Sequence, residues 1–294
     1  MRTEQEMLDL ILNTAKEDER IRAVIMNGSR ANKNVSKDCF QDYDIVYLVT
    51  ETASFINDKY WIKRFGEPIV FQFPDELDSL VGIETHFEQS YGYLMQFNDG
   101  NRIDLTIQTY ESVVKRMNED TLTIVLLDKD NNLPKVPVAT DESYWVKKPT
   151  QQQISKCTNE YWWVMLYIAK GLWRNEILFA LDHLNHYVRP ELYEMITWYA
   201  GIKTGFSCSV GKCGKYLDKY IPSDIWNRYL KTYPVAEETA IWDAVFVMND
   251  LFLEVSDLVT KELGLTYDIE EGKRSYEFAK FIRMLPKDAK EIQL

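Results

Sequence analysis

The chain has 294 residues, of which 46% are hydrophobic and 27% are charged, so it has ample material for a folded core and is not disordered. Its formal net charge is -12, which argues against a nucleic-acid backbone as partner, since binding to phosphates needs a basic surface. Its four cysteines follow no disulfide-framework spacing, and its first residues are acidic and lack an apolar run, so we expect no signal peptide, no membrane span and a cytoplasmic location.

The first half of the chain alternates helical and strand patterns. A capping box at Thr3-Glu-Gln-Glu6 begins a predicted helix that ends near Asp18. In chain order, the following patterns predict a strand over 21–26, a strand that carries Asp42 and Asp44 and runs to Val49, a helix over 52–64, a strand over 68–73, a hairpin of strands 91–97 and 102–107, and a strand over 121–127. The acidic segment 75–90 is expected to be an irregular flap.

The segment 131–150 marks a domain boundary, because it contains Pro134, Pro137 and Pro149 and shows little periodicity. We therefore predict one domain over 1–135 and a second over 136–294. The second is expected to be all-helical, with helices over 151–174, 176–188, 190–202, 222–231 and 237–263.

The most informative stretch follows the first strand. Gly28-Ser29 is suited to a turn that approaches a phosphate, because glycine allows close backbone contact and exposed N–H and hydroxyl groups can donate. Asp42 and Asp44 are two residues apart on a strand, so their carboxylates share a face. Such a pair repels unless a cation neutralises it, and Mg²⁺ bound to nucleotide phosphates is the usual solution. Each motif alone also occurs by chance in surface loops.

The order strand, Gly28-Ser29, Asp42-x-Asp44 resembles the signature of the polymerase-β-type nucleotidyltransferase superfamily. The longer strings Gly28-Ser-Arg30 and Phe40-Gln-Asp-Tyr-Asp44 resemble the aminoglycoside 6-adenylyltransferases, which modify streptomycin. Further strings that resemble this family are Leu127-Asp-Lys-Asp130, Asn159-Glu-Tyr-Trp162, Lys170-Gly-Leu172 and Asn175-Glu-Ile-Leu-Phe-Ala-Leu-Asp-His-Leu-Asn185.

The resemblance implies an α+β fold, with an N-terminal polymerase-β-like domain built on a mixed sheet and a C-terminal all-helical domain. It implies transfer of AMP from ATP to a hydroxyl of streptomycin, which gives antibiotic resistance. Asp42 and Asp44 would hold Mg²⁺, and Asp104, in the string Ile103-Asp-Leu-Thr106, would be a third carboxylate that binds metal or accepts a proton. The alternative for Asp104 is a place on a solvated outer face of the strand, shared with Arg102 and Thr106.

Further candidates for nucleotide binding are Gly28, Ser29, Arg30, Lys212 and Lys215. The two lysines follow the string Ser209-Val-Gly211, and the resemblance implies that a lysine of the helical half reaches the triphosphate. Cys213-Gly214 departs from the family pattern between them, and a solvated lysine pair is the alternative.

Glu160 and Asp182 stand in the strings that resemble the family, so they are candidates to receive the cationic groups of the antibiotic. His183 and His186 have no third ligand at a matching spacing, so we do not expect zinc. We expect a monomer with an active site in a cleft. The alternatives are a nucleotidyltransferase with a lincosamide or protein hydroxyl as acceptor, and a non-catalytic nucleotide-binding module.

Overall fold

A mixed sheet of six strands, in the order β3-β4-β5-β2-β1-β6, organises the first part of the chain in the computed structural model, which describes residues 1–292. The strands are β1 Ile21–Asn27, β2 Tyr43–Val49, β3 Pro68–Gln72, β4 Ser90–Phe97, β5 Arg102–Gln108 and β6 Ile124–Asp128. β2 and β5 pair in parallel, and the other neighbouring strands pair antiparallel. The structure divides into two units, Met1–Ser143 and Tyr144–Leu294, rather than after residue 135.

The helices of the first unit are α1 Glu4–Glu17, α2 Ala53–Asn57, α3 Pro74–Leu80 and α4 Tyr110–Glu119. The predicted capping box starts α1, since the Thr3 side chain accepts a bond from the Glu6 amide and the Glu6 side chain accepts one from the Thr3 amide. Its buried residues Met7, Ile11 and Ala15 repeat at helical spacing, so one stripe of α1 packs on the sheet.

The two faces of the sheet have different partners. On β2, Ile45 and Tyr47 face the core that contains α1, while Val46 packs with Val113 and Met117 of α4. Because side chains alternate along a strand, Asp44 projects to the same face as Val46. The face that α4 covers in part is therefore the face that presents the acidic residues.

Two local predictions in the first unit are wrong. The single helix expected over 52–64 is broken into α2 and a 3₁₀ turn, Trp61–Phe65, because Asp58 turns out of helical geometry and its carboxylate accepts a bond from the Tyr60 amide. The acidic segment 75–90 is not wholly irregular. It begins within α3, where Pro74 fits the first helical turn.

The second unit is helical. Its helices are α5 Gln151–Trp173, α6 Ile177–His183, α7 Arg189–Lys203, α8 Ser223–Lys231, α9 Glu238–Leu263 and α10 Ile269–Met284. A π-helical turn, Leu184–Val188, joins α6 to α7 without a break, whereas the sequence predicted two separate helices. Pro190 lacks an N–H for the preceding turn, which favours irregular helix geometry there.

The predicted α+β class, a mixed sheet followed by helices, is confirmed. Among residues 1–292, no helix combines the length and the apolar character that crossing a bilayer requires.

Candidate functional site

Three aspartates converge at one end of the central strands. Asp44 of β2 lies beside Asp104 of β5 in the parallel register, and Asp42 immediately precedes β2. One carboxylate oxygen from each of Asp42, Asp44 and Asp104 lies within 4.8 Å of the other two. The predicted carboxylates are therefore brought together by strand alternation and by the β2–β5 register.

Asp44 is the most perturbed member of this carboxylate cluster. Burial, followed by the charges of Asp42 and Asp104, raises the pKa of Asp44 from its ordinary value of 3.8 to about 6. The charges of Arg116 and Arg102 oppose this rise in the pKa of Asp44. A cation bound by the cluster would therefore stabilise the charged form of Asp44.

The turn after β1 is shaped to receive Asp44. Gly28 begins a 3₁₀ turn, Gly28–Ala31, with φ of +71°, and a Cβ at Gly28 would lie 1.9 Å from Oδ2 of Asp44. Only glycine permits that backbone angle together with that approach. The buried Asn27 side chain anchors the turn, because its amide donates to the Leu122 carbonyl at 3.2 Å.

Ser29 is half-buried in the same turn, and its carbonyl accepts a bond from the Asn32 amide. Asn27 was not among the predicted site residues. The sequence feature that could have identified Asn27 is its place at the end of an apolar strand, directly before Gly28. A buried amide side chain there can form a hydrogen bond to the neighbouring strand.

Arg30 makes contacts that the prediction of nucleotide binding did not include. Its Nε donates to the Asp42 carbonyl at 2.9 Å, and an Nη donates to the Gln41 carbonyl at 2.8 Å. The guanidinium stacks over the Tyr43 ring at 3.8 Å, and the side chain is only 7% exposed. Arg30 therefore holds the main chain that carries Asp42.

Arg102 is a site residue that the sequence reasoning assigned only to a solvated strand face. Its Nε and one Nη donate to the two oxygens of Asp104, each at 2.7 Å, and its Nε lies 3.9 Å from an Asp42 oxygen. Arg102 thus neutralises part of the carboxylate cluster. The i, i+2 spacing of Arg102 and Asp104 on β5 was the signal.

An apolar cavity of about 480 Å³ also occurs in the first unit, but it is separate from the carboxylates. Met95 and Phe97 of β4 line it, and both side chains belong to the sheet face packed against α1. Since Asp44 and Asp104 project to the opposite face, this cavity does not contribute to the carboxylate cluster.

The candidate lysines of the helical unit lie on a tight exposed loop. Lys212 starts a 3₁₀ turn between Gly211, at φ +73°, and Gly214, at φ +74°, and Cys213 itself has φ of +56°. The departure from the family pattern at Cys213-Gly214 thus coincides with positive φ angles at three of the four residues from Gly211 to Gly214. Lys212 and Lys215 are both exposed.

The candidate acids of the helical unit lie on α5 and α6. Glu160 is half-buried on α5, whereas Asp182 is exposed on α6 and lies 3.6 Å from Nε2 of His186. His183 contacts aromatic rings instead. Within residues 1–292, the carboxylate cluster is the group of side chains that could hold a metal ion, and neither histidine belongs to it. None of the four cysteines, which all lie within residues 1–292, forms a disulfide.

Three carboxylates with oxygens within 4.8 Å of one another form a hard oxygen donor set of the kind that Mg²⁺ takes in phosphoryl-transfer sites. The raised pKa of Asp44 supports this fit, because burial and then the charges of Asp42 and Asp104 disfavour its charged form, which a bound cation would stabilise. The turn at Gly28 adds N–H groups beside the same carboxylates.

Comparison with known proteins agrees with a phosphoryl-transfer site. The family model described as streptomycin adenylyltransferase matches residues 1–282. An aminoglycoside 6-adenylyltransferase of Campylobacter jejuni is 42% identical over 275 residues, covering 94% of this chain and 94% of the relative. The aminoglycoside 6-adenylyltransferase of Bacillus subtilis (strain 168) is 40% identical over 278 residues, covering 94% of this chain and 97% of the relative. That of Staphylococcus aureus is 36% identical over 261 residues, covering 88% of this chain and 92% of the relative.

Proposed function

Because the chain belongs to the streptomycin adenylyltransferase family and is a nucleotidyltransferase, we propose that it transfers AMP from ATP to a hydroxyl of streptomycin and so confers resistance to the antibiotic. The observation that carries the proposal is the convergence of Asp42, Asp44 and Asp104. A binding module would not need three mutually repelling carboxylates on one surface.

Asp42, Asp44 and Asp104 are the residues that would hold Mg²⁺. When bound, the ion supplies positive charge that balances the carboxylates and the triphosphate oxygens. The raised pKa of Asp44 supports this assignment, since a carboxylate in this environment is stabilised in its charged form by a nearby cation.

In the proposed reaction the acceptor hydroxyl oxygen forms a bond to the α-phosphorus, and the bond from that phosphorus to the bridging oxygen breaks. Pyrophosphate leaves with the electron pair of the broken bond. The hydroxyl proton passes to a carboxylate oxygen of Asp104, which is held by Arg102 in this structure.

Gly28 and Ser29 are proposed to bind the terminal phosphates through N–H groups and the Ser29 hydroxyl. Arg30 contributes by fixing the main chain of Gln41 and Asp42, the role that its contacts support. We propose Lys212 and Lys215 as further ligands of the triphosphate, since both are exposed and cationic.

The helical unit is proposed to select the acceptor, with Glu160 and Asp182 receiving guanidinium groups of streptomycin. The net charge of -12 favours the approach of a cationic substrate. We also propose that the protein is a cytoplasmic monomer and that it binds neither nucleic acid nor a membrane.

Incubation with ATP, Mg²⁺ and streptomycin, followed by mass spectrometry, tests this function. The expected product is streptomycin heavier by one adenylyl group, and a lincosamide in a parallel reaction should stay unmodified. An adenylylated lincosamide with unmodified streptomycin would replace the acceptor assignment, and no product with any acceptor would overturn the proposal.

A further inference from the structure

Aromatic side chains form an exposed surface on the two antiparallel helices α5 and α6. Trp163 is 60% exposed, Phe179 42% and Tyr187 46%, whereas large aromatic side chains are mostly buried in folded proteins. Together with Tyr167 and His183 they form what we call the aromatic surface. An exposed aromatic cluster of this kind marks a binding site more often than an isolated exposed ring does.

The rings of the aromatic surface contact one another in a continuous row. Trp163 and Tyr167 meet edge to face with centroids 6.2 Å apart, and Tyr167 meets His183 at 5.8 Å. His183 lies between Phe179, at 4.1 Å, and Tyr187, at 5.3 Å. A ligand would therefore meet several ring faces and edges at once.

The surrounding backbone is built to hold these rings. A Cβ at Gly171 of α5 would lie 2.8 Å from the Phe179 ring, so this glycine makes room for Phe179 against the helix. The Trp163 indole N–H donates to the Tyr167 hydroxyl at 2.8 Å. These contacts fix the rings before any ligand arrives, which limits the entropy lost on binding.

His183 adds a directed polar atom to the aromatic surface. Its Nδ1 lies 2.8 Å from the Phe179 carbonyl, which can only accept, so Nδ1 carries a hydrogen. In the neutral ring Nε2 is then an acceptor. The π-helical turn Leu184–Val188 begins at the next residue, and such turns occur frequently at functional sites.

Charge around the aromatic surface selects the class of ligand. Glu160 lies one helical turn before Trp163 on α5, and Asp182 precedes His183 on α6 with an exposed carboxylate. The Lys170 ammonium lies 4.5 Å from the Tyr167 ring centroid, so this ring already has a cation beside it and the rings of Phe179 and Tyr187 remain for a ligand. Aromatic faces flanked by carboxylates favour a cationic ring compound.

We propose that the aromatic surface binds the guanidinium-bearing cyclitol ring of the aminoglycoside acceptor, with guanidinium groups over the rings of Phe179 and Tyr187 and paired with Asp182 and Glu160. This inference rests on the proposed function, and it adds the side chains that hold the acceptor ring. Guanidinium stacks on aromatic faces and pairs with carboxylates, so one ligand uses both features.

Streptomycin binding to the whole protein, measured by titration calorimetry without ATP, tests the inference. Phe179→Ala and Tyr187→Ala should each raise the Kd for streptomycin about three- to tenfold, the effect of losing one ring–cation contact. Tyr187→Phe keeps the ring and should retain the Kd. myo-Inositol, a neutral cyclitol, should not bind.

Phe281→Ala is the matched control, because Phe281 stacks with Phe278 on α10, with centroids 6.2 Å apart, outside the aromatic surface. It should leave the Kd for streptomycin unchanged. Circular dichroism confirms that each variant is folded.

Unchanged Kd values in both alanine variants, or no measurable binding of streptomycin to the unmodified protein, would overturn the inference. A raised KM for ATP with an unchanged Kd for streptomycin would also overturn it, since adenine would then occupy the aromatic surface. Failure of the proposed function alone is distinguishable, because it would show as binding of streptomycin, weakened in the two alanine variants, without any adenylylated product.

Discussion

At the scale of single residues, the charged form of Asp44 destabilises the folded protein when no cation is bound. Its pKa is raised to about 6 mainly by burial, with the charges of Asp42 and Asp104 adding to the effect. In the unfolded chain the group titrates near 3.8. The native state therefore binds the proton more tightly, and the contribution of Asp44 to stability falls as pH rises from 3.8 through 6.

Asp44→Asn should therefore stabilise the protein at pH 7.5 in the absence of divalent ions. A difference of roughly two pKa units corresponds to about 3 kcal/mol, which sets the upper size of the gain in the free energy of unfolding. The gain should shrink as pH is lowered towards 4, because the wild-type carboxyl becomes protonated too. Urea unfolding at both pH values in EDTA measures it.

Asp99→Asn is the matched control of opposite sign. Arg2, which bonds the Asp99 carboxylate, holds the pKa of Asp99 well below its usual range, so its charged form stabilises the fold. This variant should lose stability at pH 7.5. A loss of stability in Asp44→Asn at pH 7.5 would contradict the electrostatic account of the site.

The residue contacts also mark the limit of prediction from the sequence. Strand alternation was enough to put Asp42 and Asp44 among the site candidates, whereas Asp104 was added only by the family resemblance. The bonds of Arg30 to two carbonyls, and of Arg102 to both oxygens of Asp104, depend on where long side chains reach in the folded chain. Periodicity carries no information about such reach.

At the scale of elements, the turn that follows β1 matters most. Gly28 combines a positive φ with contact to the Asp44 carboxylate, so the turn and β2 fit together only without a side chain at this position. The 3₁₀ turn Gly28–Ala31 then carries Ser29 and Arg30, and Arg30 holds the main chain of Asp42 through its bond to the Asp42 carbonyl.

Gly28→Ala should abolish most transfer activity, with turnover reduced on the order of 10²-fold or more, because the new Cβ displaces the Asp44 carboxylate. Gly264→Ala is the matched control. Gly264 has φ of +66° and nothing within 4 Å of a built Cβ, so it should lose only about 1–2 kcal/mol of stability from backbone strain. Its turnover should be unchanged. Equal turnover in the two variants would show that contact with Asp44 is unimportant.

Element prediction succeeded where local chemistry was strong and failed where it was weak. The capping box of α1 and the alternation of β4 and β5 are explicit in the sequence. The helices α4 and α10 were left unassigned. α4 is short and mostly polar and buries only Val113 and Met117, and α10 contains Gly272 among charged residues, so both have few apolar residues to mark a helix.

At the scale of the whole molecule, the chain joins a sheet unit that carries the carboxylates to a helical unit that carries the aromatic surface. The division falls after Ser143, inside the proline-bearing segment 131–150 that the sequence marked, because 136–143 remains with the first unit. Thr121 shows why, since its hydroxyl donates to the Thr140 carbonyl at 2.7 Å. The proposed reaction needs nucleotide chemistry from one unit and acceptor binding from the other.

The most direct test of the central claim follows the α-phosphorus of ATP. With ATP radiolabelled at that atom, Mg²⁺ and streptomycin, the label should move to the drug in the wild-type enzyme. Asp42→Asn, Asp44→Asn and Asp104→Asn should each transfer it at least about 10²-fold more slowly while remaining folded. Near-wild-type transfer by any of these three variants at saturating Mg²⁺ would contradict the assignment of the carboxylate cluster as the catalytic centre.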